Sequence, residues 1–147
     1  MIALLQRISQ GSVSYQQDTH SVGQGFCVLV GVGHQDTQED VDQLARKITH
    51  LRVFSDDDGK MNLDIQQTKG EILLISQFTL MANTSKGHRP SFMAAADPQL
   101  AESLYLALAD ALRGYGLKVE LGFFGQHMHL DLQLDGPVTI NLDTRHD

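Results

Sequence analysis

The sequence predicts an α+β domain, in which mixed or antiparallel, barrel-like β-sheets carry two main helices packed on them. Alternating or continuous apolar segments typical of strands occur near both ends of the chain and in its middle. Helical spacing of apolar residues occurs in only two places, residues 41–51 and 100–112. A length of 147 residues with 41% hydrophobic composition suits a single domain over residues 1–147 with one real core. Apolar strand faces left open in such a domain favour a homodimer.

The strands are predicted from short apolar runs bounded by glycine, proline or polar turns. Gly11-Ser12 is predicted to break the first run, and residues 17–20 are predicted to form a turn. A valine-rich run containing Cys27, the only cysteine, is typical of a strand buried on both faces, and indicates a buried, inert thiol. The predicted strands are residues 2–8, 12–16, 25–32, 61–65, 71–79, 117–121, 127–134 and 138–142.

Each helix is predicted with its own start signal. Asp36 or Thr37 can cap the first helix, with an acidic residue three positions later. Asp97-Pro98 is a helix start in which an N-cap precedes proline at the first helical position. Gly114 or Gly116 is predicted to end the second helix. The apolar faces comprise Val41, Leu44, Ala45, Ile48 and Leu51 in the first helix, and Leu100, Leu104, Leu108, Ala111 and Leu112 in the second.

Composition excludes several classes of partner. The net charge of −7 argues against a broad nucleic-acid binder, and no DNA partner is expected. No apolar run approaches the ~20 residues that span a membrane, and no signal peptide is recognised, so we expect a cytoplasmic protein. A local contact with one end of an RNA remains possible at the cationic cluster of Lys86, His88 and Arg89, or at Arg46, Lys47 and Arg52.

The first candidate site is Ser76-Gln77-Phe78-Thr79, where a buried strand meets a polar loop. On a continuing strand, Ser76 and Phe78 would face one way and Gln77 and Thr79 the other. If the strand ends here, its last backbone N–H groups are free to bind a ligand oxygen as an oxyanion hole does. The alternative is a strand end whose hydroxyls satisfy only local backbone groups.

The second candidate is Gly136-Pro137, which lies between two alternating segments. Cis peptide bonds are largely confined to proline, and a cis bond would hold neighbouring carbonyls in a nearly parallel array. Such carbonyls can meet an ammonium group or exclude one enantiomer. The alternative is a plain turn between strands.

The third candidate is a metal site at His127 and His129, which stand two apart on one strand face. Asp131 is the possible third ligand, and a polar sheet face is the alternative. The acidic turn at residues 55–60 lacks the later acidic ligand of a calcium loop. No metal or other cofactor is therefore predicted.

Five segments in order then carry a resemblance that covers nearly the whole chain. They are MIALLQRI, VFSDDDGKMNLDI, LLISQFTL, KGHRPSF and DGPVT. The chain resembles the D-aminoacyl-tRNA deacylases. This resemblance implies a cytosolic homodimer that hydrolyses the ester between a D-amino acid and the 3′ end of tRNA, clears glycine mischarged on tRNA, and needs no metal for the chemistry.

The resemblance also assigns residues, with the active site at the subunit interface. It implies catalytic roles for Ser76, Gln77, Phe78 and Thr79, with water as nucleophile. It implies that Gly136 and Pro137 enter from the partner subunit and reject L-amino acids, that Arg7 holds them in place, and that Met128 lines the pocket. Lys86 and Arg89, which belong to the cationic cluster described above, are the predicted RNA contacts.

The chain departs from the family pattern at a few positions. Leu134 stands where asparagine is usual, and removes a side-chain hydrogen-bond partner near the Gly-Pro turn. Gln126 replaces an alanine, and His127 stands where an acid is common. Two alternatives to the deacylase are a non-catalytic tRNA-binding module and a metal-dependent hydrolase that uses His127 and His129.

Overall fold

A curled six-stranded sheet, a separate two-stranded sheet and two helices make up the fold, and the computed structural model describes residues 1–146. The α+β class with two main helices is confirmed. The helices are α1 (Gln38–His50) and α2 (Pro98–Gly114), and a 3₁₀ helix covers Phe78–Met81. The strands are β1 (Ile2–Tyr15), β2 (Asp18–Val22), β3 (Gly25–Gly31), β4 (Phe54–Ser55), β5 (Met61–Leu63), β6 (Glu71–Ser76), β7 (Lys118–Leu121) and β8 (His129–Asp143).

The large sheet combines antiparallel and parallel pairing and nearly closes into a barrel. Its order is β2-β1-β3-β6-β7, with β8 on the other edge of β1. The strands β3, β6 and β7 run parallel, and β1 is antiparallel to β2, β3 and β8. Closure comes from β2, where His20 Nδ1 lies 2.6 Å from the Leu121 carbonyl oxygen of β7. The parallel strands therefore present their C-terminal ends at the same end of the barrel.

The predicted break at Gly11-Ser12 is wrong, because β1 runs unbroken through it. Gly11 is a point of close approach: a Cβ atom there would lie 2.9 Å from Leu132 Cδ2 and 3.0 Å from Ile8 Cδ1. The predicted turn at residues 17–20 is also wrong. The chain reverses at Gln16, in the left-handed region with φ 54°, and β2 begins at Asp18.

The two C-terminal segments predicted as separate strands belong to one strand, β8. Its pairing with β1 is interrupted, because Gln6 pairs with Thr139 whereas Ile8 pairs with Leu134. Two steps along β1 thus correspond to five along β8. Residues 135–138, which include the Gly-Pro pair, bulge out of the ladder opposite Arg7.

Both helices begin where the sequence predicts. The Thr37 N–H donates to the Asp40 carboxylate over 2.8 Å, and the Asp97 carboxylate accepts from two N–H groups in the first turn of α2. Their apolar faces pack on the sheet in one cluster with Phe26 and Phe54, whose ring centroids lie 4.9 Å apart. Neither helix, nor any other within residues 1–146, is long and apolar enough to cross a membrane.

Candidate functional site

A cleft of about 600 Å³ opens at the C-terminal ends of the parallel strands. Val30 from β3 and Ile75 from β6 line its floor, and Phe124 follows β7. The start of α2 and the segment before β8 complete the walls. The volume suits a small molecule or the end of a larger one, and most of the lining is apolar.

The segment Ser76-Gln77-Phe78-Thr79 forms one edge of this cleft, but not as a continuing strand. The strand β6 ends at Ser76, the Gln77 N–H donates to the Val30 carbonyl over 2.7 Å, and the chain then turns into the 3₁₀ helix. The predicted strand through residue 79, with its alternating side chains, is therefore wrong. Ser76, Gln77 and Phe78 line the cleft, whereas Thr79 does not.

The turn leaves two backbone donors unused. Within residues 1–146, neither the Phe78 N–H nor the Thr79 N–H donates to another protein group. They are the first N–H groups of the 3₁₀ helix, where such groups have no partner inside the helix. The Thr79 hydroxyl is engaged, because Gln77 Nε2 donates to its Oγ1 over 2.5 Å. The site thus offers backbone donors to a ligand oxygen.

Phe78 is 58% exposed, and its ring meets Phe92 edge-on, with centroids 5.0 Å apart. Phe92 also lines the cleft and directly follows a polar loop that paired backbone bonds between Asn83 and Ser91 close at 2.8 and 2.9 Å. Lys86 and Arg89 are exposed on that loop. This aromatic contact was not predicted; its only sequence signal is the final phenylalanine of KGHRPSF.

Met128 also lines the cleft. Its role as a residue of the substrate pocket, which the resemblance implies, stays a prediction. Its sulfur accepts a hydrogen bond from the Phe123 N–H over 3.0 Å. Gly122 permits this approach, since a Cβ atom there would lie 3.0 Å from Met128 Sδ and 2.9 Å from Ile75 Cδ1. Met128 therefore has a fixed place against the end of β6.

His127 also lines the cleft, and its ring centroid lies 5.5 Å from that of His129 in an edge-to-face arrangement. Within residues 1–146, no group of three or more histidine, cysteine, aspartate or glutamate side chains could hold a metal ion. The third ligand that the metal hypothesis needs, Asp131, is not brought to the pair.

Gly136, Pro137 and Arg7 form a second cluster that does not line the cleft. The peptide bond between Gly136 and Pro137 is cis. The Arg7 side chain is 9% exposed, and its Nε lies 3.1 Å from an Asp135 carboxylate oxygen and 3.2 Å from the Asp135 carbonyl oxygen. Its Nη1 donates to the buried Val53 carbonyl oxygen.

The bonds of Arg7 to Asp135 and Val53, which we call the Arg7 clamp, hold the bulge in place. The backbone at Gly136 leaves no room for a side chain. Gly136 has φ 126°, and a Cβ atom there would lie 3.0 Å from the Val138 nitrogen and 3.3 Å from Arg7 Nη2. Asp135 and Val53 were not predicted as partners of Arg7. No local pattern could identify Val53, which is 46 residues away in sequence.

Two buried titratable groups, Cys27 on β3 and Tyr105 on α2, have raised pKa values. Burial raises the pKa of the Cys27 thiol to about 12. Burial also raises the pKa of Tyr105, whose hydroxyl donates to the Leu74 carbonyl over 2.7 Å. Tyr105 lines the cleft, but its hydroxyl is already hydrogen-bonded to the sheet.

Comparison with known proteins gives a consistent family. The family described as D-Tyr-tRNA(Tyr) deacylase matches residues 4–143. A protein named D-aminoacyl-tRNA deacylase from Staphylococcus aureus (strain bovine RF122 / ET3-1) is 45% identical over 140 residues, which cover 95% of this chain and 93% of that protein. The same name and identity apply to its counterpart in strain MRSA252.

Solved structures agree on the architecture. A chain titled "c-Myc DNA Unwinding Element Binding Protein" superposes with a TM-score of 0.91 at 38% identity, covering 97% of this chain and 98% of the other. A chain titled as a probable eukaryotic D-amino acid tRNA deacylase superposes with a TM-score of 0.82, covering 96% and 98%. At 16% identity the second likeness shows the shared fold alone.

Proposed function

The chain belongs to the D-aminoacyl-tRNA deacylase family and is a hydrolase of the aminoacyl-tRNA ester bond, and we propose that the cleft beside Phe78 is where it releases D-amino acids, and glycine mischarged on tRNA, from the tRNA 3′ end. The observation that carries this assignment is the pair of unused backbone donors at Phe78 and Thr79, aligned at the start of a 3₁₀ helix. Membership of the family indicates the reaction, and these two donors support the location that we propose for it.

The proposed chemistry is attack by water on the ester carbonyl. A bond forms between the water oxygen and the carbonyl carbon, and the carbonyl oxygen becomes negatively charged in the tetrahedral intermediate. The N–H groups of Phe78 and Thr79 stabilise that oxygen, a contribution worth about 10²–10³-fold in rate per donor in other enzymes. The bond to the ribose oxygen then breaks, and that oxygen takes up the proton released by water.

Thr79 is assigned a supporting role in this scheme. Its Oγ1 accepts a hydrogen bond from the Gln77 amide, so Gln77 and Thr79 brace the turn that aims the two N–H groups. The resemblance to the family points to the terminal 2′-hydroxyl of the tRNA as the group that activates water.

We assign stereochemical selection to Gly136 and Pro137 of a second copy of the chain. Within one chain these residues and the cleft are separate, so a second copy is needed to bring them together. The long strand β8 supports this proposal, because within residues 1–146 its edge facing away from β1 pairs with no strand. Leu134 on that strand is 47% exposed. Long exposed edges and apolar side chains are typical of surfaces that another chain covers.

The carbonyl oxygens beside Gly136 would hold the ammonium group of the substrate. An amino acid so held points a D side chain to open space and an L side chain into the pocket wall. We call Gly136 and Pro137 of the second copy the gate. Arg7 positions the gate through Asp135 and the Val53 carbonyl. Leu134 takes the place of the usual asparagine, and the Arg7 clamp supplies the hydrogen bonds that hold the bulge.

The tRNA contact is proposed at the loop that carries Lys86 and Arg89, because the Phe78–Phe92 contact ties this loop to the cleft. The chain's net charge of −7 confines phosphate binding to local patches of this kind. Because the translation machinery supplies substrates of this class, we also propose a cytoplasmic location.

The test compares hydrolysis of D-tyrosyl-tRNA and L-tyrosyl-tRNA, each with and without EDTA. Loss of the D-ester alone, unchanged by EDTA, is the expected result. Hydrolysis of both esters would contradict stereochemical selection by Gly136 and Pro137. Hydrolysis that EDTA stops would favour a metal-dependent hydrolase. Binding of tRNA with cleavage of neither ester would leave only the tRNA-binding module.

A further inference from the structure

We propose that the His127 side chain binds the phosphate group that links the terminal nucleotide of the tRNA to the rest of the strand. The proposal rests on the proposed function, because it assumes that the aminoacylated terminal nucleotide occupies the cleft. It adds a ligand-binding residue at a position where this chain departs from its family's usual pattern.

The lining of the cleft leaves one side chain of a basic residue as a candidate for binding an anion. Among residues 1–146, the lining contains no lysine, arginine, aspartate or glutamate, and its ionisable side chains are Tyr105 and His127. The Tyr105 hydroxyl already donates to the Leu74 carbonyl and is buried. His127 is exposed, in the short segment between β7 and β8. Among the described lining residues, it is thus the one basic side chain.

The chemistry of an aminoacylated nucleotide matches this distribution. The cleft's apolar floor suits a base or an amino-acid side chain, and the Phe78 edge suits the ester oxygen. The linking phosphate lies one ribose away from the ester and keeps a full negative charge. It must stay near solvent or meet a donor, because an unpaired charge is costly to bury. An exposed imidazole on the same cleft meets both needs, since it donates from at least one ring nitrogen in either protonation state.

The experiment uses two minimal substrates that differ only in the phosphate. They are adenosine carrying D-tyrosine on its 3′-hydroxyl, and the same ester with a 5′-phosphate. For each enzyme the quantity measured is the ratio of kcat/KM with the phosphate to kcat/KM without it, at one fixed pH. His127→Gln keeps a polar side chain of similar reach, and His127→Asn is the second variant. His129→Gln is the matched control, because His129 stands beside His127 but does not line the cleft.

For the wild-type enzyme and the His129→Gln control we expect a ratio of about 10, the size of one charge-assisted hydrogen bond of roughly 1.4 kcal/mol. Both His127 variants should lower the ratio below about 2, mainly through KM. Adenosine 5′-monophosphate should inhibit the wild type more strongly than adenosine, with the difference lost in the His127 variants. Circular dichroism and thermal melting check that the variants fold.

The outcomes separate this inference from the proposed function. A wild-type enzyme that cleaves both esters equally well, or His127 variants that keep the phosphate advantage, would overturn the phosphate contact and leave the deacylase assignment intact. An equal loss on both substrates would also overturn it, and would place His127 against the nucleoside or the ester. Cleavage of neither ester, with tRNA esters also untouched, would overturn both proposals.

Discussion

The side chain of Arg7 is the point at which the barrel and the Gly-Pro bulge are joined, so replacing it tests whether that joint controls selectivity. Arg7→Met keeps the aliphatic stem and removes the guanidinium. The carbonyls of Asp135 and Val53 lose charged donors, each worth about 1.5–3 kcal/mol when buried. The Asp135 side chain is 47% exposed, so its ion pair adds only about 0–1 kcal/mol. Partial relaxation lowers the sum, and we expect the free energy of unfolding to fall by about 2–4 kcal/mol.

Urea denaturation measures that loss, and parallel assays on D- and L-tyrosyl-tRNA measure selectivity. We expect the ratio of D- to L-ester hydrolysis to fall at least about tenfold, because the bulge loses its anchor. Arg113→Met is the matched control: Arg113 also pairs with a carboxylate, Asp110, and donates to a carbonyl, that of Val119, but neither partner belongs to the Gly-Pro bulge. It should lose less stability and keep full selectivity.

Two results would refute the reasoning. If Arg7→Met destabilises the fold and still discriminates as the wild type does, Arg7 supports the barrel but does not position the gate. If its free energy of unfolding falls by less than about 1 kcal/mol, the hydrogen bonds of the guanidinium are replaced by water, and the clamp is not a strong one.

Four further changes probe the rest of the assignment. Thr79→Ala should keep turnover within a few-fold of wild type in a single-turnover assay, whereas a loss above about 10³-fold would make Thr79 the nucleophile. Gly136→Ala places a Cβ atom 2.8 Å from Val138 Cγ2 at a φ of 126°, and should lower D-ester kcat/KM at least about tenfold; unchanged kinetics would exclude a tight gate. Tyr105→Phe removes the hydroxyl donor to the Leu74 carbonyl, which keeps its hydrogen bond from the Gly122 N–H, and should lower the free energy of unfolding by about 0.5–1.5 kcal/mol in urea; no change would mean that the hydroxyl bond adds nothing to stability. The Cys27 thiol should resist iodoacetamide at pH 8 unless urea is added, and rapid alkylation of the native protein would contradict its burial. Because the folded pKa of Cys27, about 12, lies above the ordinary 9.0, the free energy of unfolding should fall as the pH rises from 9 towards 12.

The helices were predictable because the signals that start them are local. Thr37 and Asp40 lie within one turn of each other, and Asp97 precedes a proline that cannot extend a preceding helix. Each cap satisfies its own backbone donors without help from the rest of the fold. The buried strand β3 was predictable for a related reason, since its continuous apolar run is typical of a strand covered on both faces.

Two of the strand errors occur where a long-range contact overrides the local signal. Gly11 resembles a break, but its missing side chain makes room for Leu132, 121 positions further along the chain. The segment through Thr79 reads as a continuing strand, but it turns where Gln77 bonds to Val30. In each case the local structure depends on a residue that is distant in the sequence, so a short segment of sequence cannot predict it.

The same reasoning separates what the motifs could predict about the site from what they could not. The family resemblance predicts Ser76–Thr79 and Gly136-Pro137 as site residues, but the unused donors at Phe78 and Thr79 belong to the backbone, and any residue other than proline could supply them. Their availability depends on the strand ending at Ser76, and this in turn depends on the pairing of β6 with β3. His127 reaches the same cleft only because β7 runs parallel to β6 and ends beside it. The proposed reactive geometry is therefore a property of the sheet topology, and substitutions that shift the β3–β6 register should abolish activity even when every motif residue is retained.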